Sequence, residues 1–285
     1  MLVGQTQTIA PWTIFSTLGR HRALIWQMAR REVIGRYRGS TLGVVWSFIT
    51  PLLMLAVYTY AFGGILRVNA PPATTAPSTD AALSAPDFAA FIFAGLIVHL
   101  LFADCLIRSP TLILSNPSYV KKVVFPLEIL PWVALGAALF HAVVSLTILL
   151  AASAVFHHGL PWTIIFAPLP IACLCLMIVG ISWFLSSIGV FLRDTSHTIS
   201  IATWMLMFVS PVFYLDKFVL GKPRLQFVMN LNPTTFIMRQ LRLVVLDGKL
   251  PNFAGLALYF AIALTIAYLG LLWFNKTRKG FADVI

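Results

Sequence analysis

The chain has 285 residues, 59% of them hydrophobic and only 10% charged, with a net charge of +11 and a mean hydropathy of +0.90. Soluble domains carry roughly 25% charged residues, so a water-soluble globule is excluded. The positive charges sit at the ends of apolar spans, where anionic headgroups and membrane orientation explain them and nucleic acid does not.

In chain order, the first twenty residues are mixed and polar, without the pattern of a cleavable signal peptide. Residues 17–38 follow a helical period of about 100° per residue. Leu18, Ile25, Trp26, Ala29 and Val33 share one face, and Arg20, Gln27, Arg31 and Arg38 gather opposite. That pattern predicts an amphipathic helix in the membrane surface, apolar face down. It serves either as a simple anchor or as a docking face for a cytoplasmic partner, and periodicity does not separate the two. Arg30, Arg31, Arg36 and Arg38 then lead through Gly39, Ser40 and Thr41 into an uncharged span. Lys and Arg stay on the cytoplasmic side, so the chain enters the membrane from the cytoplasm.

A spanning helix needs about 20 apolar residues. Six spans are expected by that measure, at residues 42–66, 89–109, 125–155, 164–192, 198–215 and 252–274. The fold class is therefore all-α and integral to the membrane. Residues 1–285 form one transmembrane domain: the interfacial helix at 17–38, a six-helix region at 42–274, and a basic tail at 275–285. An even number of spans puts both termini in the cytoplasm. Lys276, Arg278 and Lys279 agree with this, whereas Lys217, Lys222, Arg224, Arg239, Arg242 and Lys249 place an unexpected basic cluster outside.

Three connections stand out. Residues 67–88 are rich in Ala, Pro, Ser and Thr and are expected to form a flexible outer loop. Ser115, Asn116 and Pro117 signal a turn. Within 216–251, Asn232 and Pro233 read as the N-cap and first residue of a helix over 234–246. At about 20 Å that helix is too short to cross, so a re-entrant or interfacial segment on the outer side is expected.

Two helical stripes carry small hydroxyls capped by a tyrosine: Ser47, Thr50, Met54 and Tyr58 in the first span, and Ser200, Thr203, Met207, Ser210 and Tyr214 in the fifth. Such stripes suit a pathway for hydroxyl-rich cargo, and they are also what membrane helices use to pack together. Asp104 and Arg108, four residues apart, are expected to pair with each other. No carboxylate lies near mid-membrane in the other spans, which disfavours a proton- or sodium-driven carrier. His99 and His141 read as interhelical hydrogen-bonders. Cys105, Cys173 and Cys175 read as packing residues, with no metal-ligand spacing. There is no HExxH, GxSxG or phosphate-loop motif, so ATP-driven work needs a separate ATPase chain.

The segments RREVIGRYRGSTLGVVWSFITPLLMLAVYTYAFGGIL, NPSYVKKVVFPLEILP, RDT at 193–195, SPVFYL and NLNPTTFIMRQLR occur in this order over residues 20–275. Together they resemble the membrane subunit of ABC-type polysaccharide exporters, which move capsule, O-antigen or teichoic-acid polymers. The resemblance implies a bacterial inner-membrane permease with six helices per subunit, acting as a homodimer. It also implies a cytoplasmic ATPase subunit that holds ATP and Mg, and a polymer on a polyprenyl-diphosphate lipid threaded outward between the two subunits. Arg31, Glu32, Arg36 and Tyr37 would then face the ATPase. Asn116, Lys121 and Lys122 would form the coupling segment, with Arg193 and Asp194 at the second intracellular turn. The two stripes would line the conduit, and Asn232 and Pro233 would sit in the outer gate. Arginine suits bidentate phosphate contacts, and Arg36, Arg38, Lys121, Lys122 and Arg193 are the candidates for the diphosphate, although the same charges also set topology. Leu127 follows Pro126 where the family usually has a basic residue. Export of another bulky lipid or drug is the neighbouring reading, and a membrane-embedded transferase on lipid-linked sugars the reading from another class.

Overall fold

The computed structural model describes residues 13–61, 85–120, 125–157, 160–214 and 222–284. Among these residues the regular structure is helical, with no strand. The helices are α1 (Thr13–Arg36), α2 (Trp46–Tyr60), α3 (Ala85–Arg108), α4 (Pro117–Val120), α5 (Leu130–His157), α6 (Pro168–Phe191), α7 (Thr195–Val209), α8 (Pro223–Leu231), α9 (Pro233–Val245), α10 (Phe253–Thr277) and α11 (Phe281–Val284).

Helix α1 bends at His21 (φ −108°, ψ 15°) and stops before Gly39, whose φ of 88° residues with a Cβ rarely adopt. Its apolar stripe packs on protein. Ile25, Met28, Ala29 and Val33 are buried, and Ala29 lies against Gly136 of α5. Trp26, expected on the apolar face, is 73% exposed. The close approach to α5 at Gly136 favours a small residue at the contact, so α1 turns Ala29 inward and the bulky ring outward.

Five stretches among the described residues are long and apolar enough to cross a membrane: Gly43–Tyr60, Pro86–Thr111, Leu127–Val155, Trp162–Phe191 and Phe253–Gly280. They fall on five of the six expected spans. The other, at 198–215, is cut short: α7 has 15 residues, about 22 Å of helix against about 30 Å of hydrocarbon. Pro211 is the reason. A residue before proline is pushed out of the α region, and Ser210 is extended (φ −78°, ψ 152°). Hydropathy alone carries the span past that break.

Helix α3 runs through the centre and is mostly buried, while α2 at the rim is mostly exposed. Lipid and side chains are equally apolar, so close packing has to hold such helices together. The tightest crossing joins α6 and α10, where a Cβ on Gly180 would come within 2.6 Å of the Ala267 backbone. Gly270 meets the Gly180 carbonyl on the same crossing.

Among the described residues, the connection from α7 to α10 holds α8 and α9. The expected cap is present: the Asn232 side chain accepts from the Thr234 N–H at 3.0 Å, with Pro233 as the first helical residue. Helix α9 does not lie on the surface. Ile237, Met238, Leu241, Arg242, Val244 and Val245 are buried, packed toward α3 and α6. Residues 67–84 of the expected outer loop lie outside the described residues.

Candidate functional site

At the α1 end of the bundle, two pairs of charges at i and i+4 interlock. On α1 the order is Glu32 then Arg36, and on α3 it is Asp104 then Arg108. Packed in opposite directions, each acid meets a base. The Arg36 guanidinium donates to both Asp104 oxygens, at 2.9 and 3.2 Å, and Arg108 pairs with Glu32. Within α3, Arg108 also approaches Asp104 at 3.5 Å. The expected Asp104–Arg108 pair is present, and each of its members also meets a charge on α1, Arg36 and Glu32 respectively. Matched i,i+4 charge pairs on two segments are the signal that could have revealed this. Next to them, the Tyr37 hydroxyl lies 3.4 Å from His141 Nδ1 on α5. Burial pushes the Tyr37 pKa above its usual 10; Arg36 opposes the shift and Asp104 adds to it.

The outer face of α1 is different. Arg31 donates to the Tyr119 hydroxyl at 2.8 Å, and the Tyr119 ring stacks on Phe125 at 4.3 Å. The Phe125 carbonyl accepts from Arg278 at 3.1 Å, and Arg278 also meets Glu128 at 3.0 Å. One run of contacts thus joins α1, the segment after α4 and the residues following α10. Beside it lies a groove of about 660 Å³ whose charged lining is Arg30, Arg31 and Arg38, with no acidic residue. Tyr119 and Phe125 lie in the segment NPSYVKKVVFPLEILP and Arg278 in the basic tail, but that they meet each other and Arg31 is visible only in three dimensions.

Asn116 donates to the Leu112 carbonyl at 2.9 Å and borders a cavity that Arg31 and Glu32 also line. Lys121 and Lys122 lie outside the described residues. Arg193 and Asp194 are exposed in the turn between α6 and α7. That turn sits near the end of α3, since Gly189 abuts the Pro110 backbone.

The two hydroxyl stripes fare differently. Ser47, Thr50 and Met54 line a cavity of about 370 Å³ bounded by the end of α1 and by α2, α3 and α5. Tyr58 is half-buried further along α2. The second stripe is largely enclosed in its own subunit, with Thr203 and Ser210 at 2% and 0% exposure. Its hydroxyls are taken up by nearby backbone: Ser200 by Ser196 at 2.8 Å, Thr203 by Ile199 at 3.0 Å, and Tyr214 by Phe208 at 2.9 Å. Met207 packs on the core. The exposed face of α7 is apolar, with Ile201, Trp204, Met205 and Phe208.

At the opposite end, Asn232 Nδ2 donates to Ser210 Oγ at 2.7 Å and to the Leu206 carbonyl at 3.2 Å, tying the end of α7 to the start of α9. Arg242, 5% exposed, donates to the carbonyls of Pro211 at 2.6 Å, Val212 at 3.2 Å and Phe91 at 3.0 Å. Its guanidinium lies 3.5 Å from the Phe91 ring centroid, over Gly95, where any β-carbon would collide with it. In the sequence Arg239 and Arg242 share one face of the expected 234–246 helix among apolar residues, which points to a re-entrant or interfacial segment but not to a buried guanidinium that binds three carbonyls.

Apolar spans around a buried central helix, with a cationic groove at one end, are features of a multi-pass membrane protein. Residues 23–246 match the ABC-2 type transporter family, and the chain belongs to that family. It is the membrane subunit of a transporter, in a family that works with an ABC ATPase. The chain is similar to the O-antigen export system permease protein RfbA of Myxococcus xanthus, 25% identical over 94% of this chain and 97% of the relative. Two proteins of that name from Klebsiella pneumoniae are 23% and 22% identical, each over 90% of this chain and 93% of the relative.

Proposed function

We propose that this chain is the permease half of an ATP-driven exporter that carries lipid-linked polysaccharide across the inner membrane, as a homodimer with a separate cytoplasmic ATPase. The observation that carries this reading is the end-to-end correspondence with proteins named for O-antigen export, 94% of this chain against 97% of one relative. In this reading the α1 end and both termini face the cytoplasm. The groove with Arg30, Arg31 and Arg38 offers cations and apolar walls to the ATPase, which binds ATP and Mg. Movement of α1 reaches α3 through the Glu32–Arg108 and Arg36–Asp104 pairs. The far part of α3 touches Arg242 through Phe91, so the outer segment with Asn232 and Pro233 responds as the gate.

The conduit runs between two copies, where the exposed faces of α2 and α7 meet. Tyr58, further along α2, supplies a ring and a hydroxyl on one wall, and Ser200 and Met207 edge the other, while Ser47, Thr50 and Met54 line the cavity inside the subunit. Neither wall carries fixed charge, which suits a neutral or weakly charged glycan. Arg36 is engaged by Asp104, so exposed Arg38 and Arg193, with Lys121 and Lys122, are the stronger candidates for the diphosphate.

The test is co-expression with the cognate ABC ATPase, then ATP hydrolysis in proteoliposomes and polymer display in cells. The wild-type complex is expected to hydrolyse ATP, and Arg31→Glu combined with Arg38→Glu to dissociate or uncouple it. Absence of any associated ATPase would overturn the reading.

A further inference from the structure

The 370 Å³ cavity bounded by α1, α2, α3 and α5 has two chemically distinct ends. One end holds Arg36 and Asp104, 35% and 31% exposed, with Tyr37 and His141 beside them. The other is apolar: Ile97 and Phe93 also line it, about 10 and 16 Å further along α3 at the helical rise. Leu100 and Met54 line the cavity and are also 43% and 36% exposed, so it opens sideways where lipid would lie.

We propose that this cavity holds a resident phospholipid with a zwitterionic, ethanolamine-type headgroup, separate from the transported cargo. A polar end at the membrane surface and an apolar end deeper in are the dimensions of a headgroup and the upper part of one acyl chain. The sign of the head follows from the ion pair. A lone anion drawn to Arg36 confronts Asp104, and a lone cation drawn to Asp104 confronts Arg36. A head bearing both charges satisfies both, its ammonium donating to Asp104 and its phosphate accepting from Arg36.

The full chain, in nanodiscs of equal phosphatidylethanolamine and phosphatidylglycerol, is released gently and its retained lipid identified by native mass spectrometry. Wild type is expected to retain phosphatidylethanolamine over phosphatidylglycerol by roughly tenfold, a 1.4 kcal/mol preference. Asp104→Asn should remove that preference. Because Asp104→Asn also loosens the joint between α1 and α3, Met54→Trp provides a second test. It fills the cavity from the rim helix, leaves every charge in place, and should abolish retention in a protein that elutes and unfolds like wild type. Equal retention of both lipids, preference for phosphatidylglycerol, no retained lipid, or unchanged retention in Met54→Trp would each overturn the proposal. Since the readout is bound lipid, it stands or falls independently of polysaccharide transport.

Discussion

Arg242 of α9 donates to the carbonyl of Pro211 at 2.6 Å, closing the break at which α7 ends. A helix end leaves carbonyls without intrahelical partners, and inside a membrane no water replaces them. By also taking the carbonyls of Val212 and Phe91, one guanidinium lets the chain leave helical geometry while buried.

Arg242→Met is expected to leave the two buried carbonyls of Pro211 and Val212 unsatisfied, at about 1–3 kcal/mol each where nothing relaxes, while the Phe91 carbonyl keeps its partner within α3. Thermal unfolding of the detergent-solubilised protein should show a large fall in Tm. Arg242→Lys should recover only part of it, because an ammonium on a flexible stem does not match a planar fork. A Tm for Arg242→Met equal to wild type would show that the carbonyls find other partners.

The interlocked charges at the other end make a quantitative case of a different size. With side chains a quarter to a third exposed, solvent screening limits each pair, and a double-mutant cycle of Glu32→Gln with Arg108→Gln should give a coupling of about 0.5–1 kcal/mol. The exchange Arg36→Asp with Asp104→Arg should be more stable than either single reversal. Additive single effects would mean that the pairs do not join α1 to α3.

Much of this arrangement is legible in the sequence where local chemistry decides it. The Asn232–Pro233 cap is local, and the predicted helix over 234–246 forms one residue earlier, as Pro233–Val245. Long apolar runs likewise announce five spans. Features decided by tertiary contact are not legible. The facing of α1 depends on Gly136 accepting Ala29, which turns Trp26 outward against the period. The hydroxyls of Thr203 and Ser210 look like conduit lining in one dimension, yet both are buried within the subunit. Pro211 was readable and outweighs hydropathy, because a dihedral restriction acts at one residue while hydropathy is averaged over many.

Tyr37 provides the pH-dependent case. Its pKa is raised above 10, chiefly by burial, so above about pH 10 the unfolded chain gives up this proton before the folded one. The stabilisation is fully present below the unfolded value and is lost as pH rises through the folded value. Stability of wild type should therefore fall more steeply above about pH 10 than that of Tyr37→Phe. Difference absorbance at alkaline pH should place the missing phenolate transition of the variant above the ordinary tyrosine value. A transition at or below that value would mean that Tyr37 is hydrated.

The crossing of α6 and α10 sets the strictest steric demand in the bundle. A methyl on Gly180 would meet the Ala267 backbone at 2.6 Å, and one on Gly270 would meet the Gly180 carbonyl. In both cases the obstacle is main chain, which cannot rotate aside as a side chain tip can. Separating the helices forfeits contacts along their shared length, and packing is what holds membrane helices together. Gly180→Ala and Gly270→Ala are each expected to destabilise by at least about 1–3 kcal/mol, the usual range for overpacking, despite alanine's better helix propensity. Gly19, where an added methyl would meet nothing within 4 Å, is the control: Gly19→Ala should be neutral or slightly stabilising. Equal Tm shifts for Gly19→Ala and Gly180→Ala would mean that the two helices do not approach this closely in the membrane.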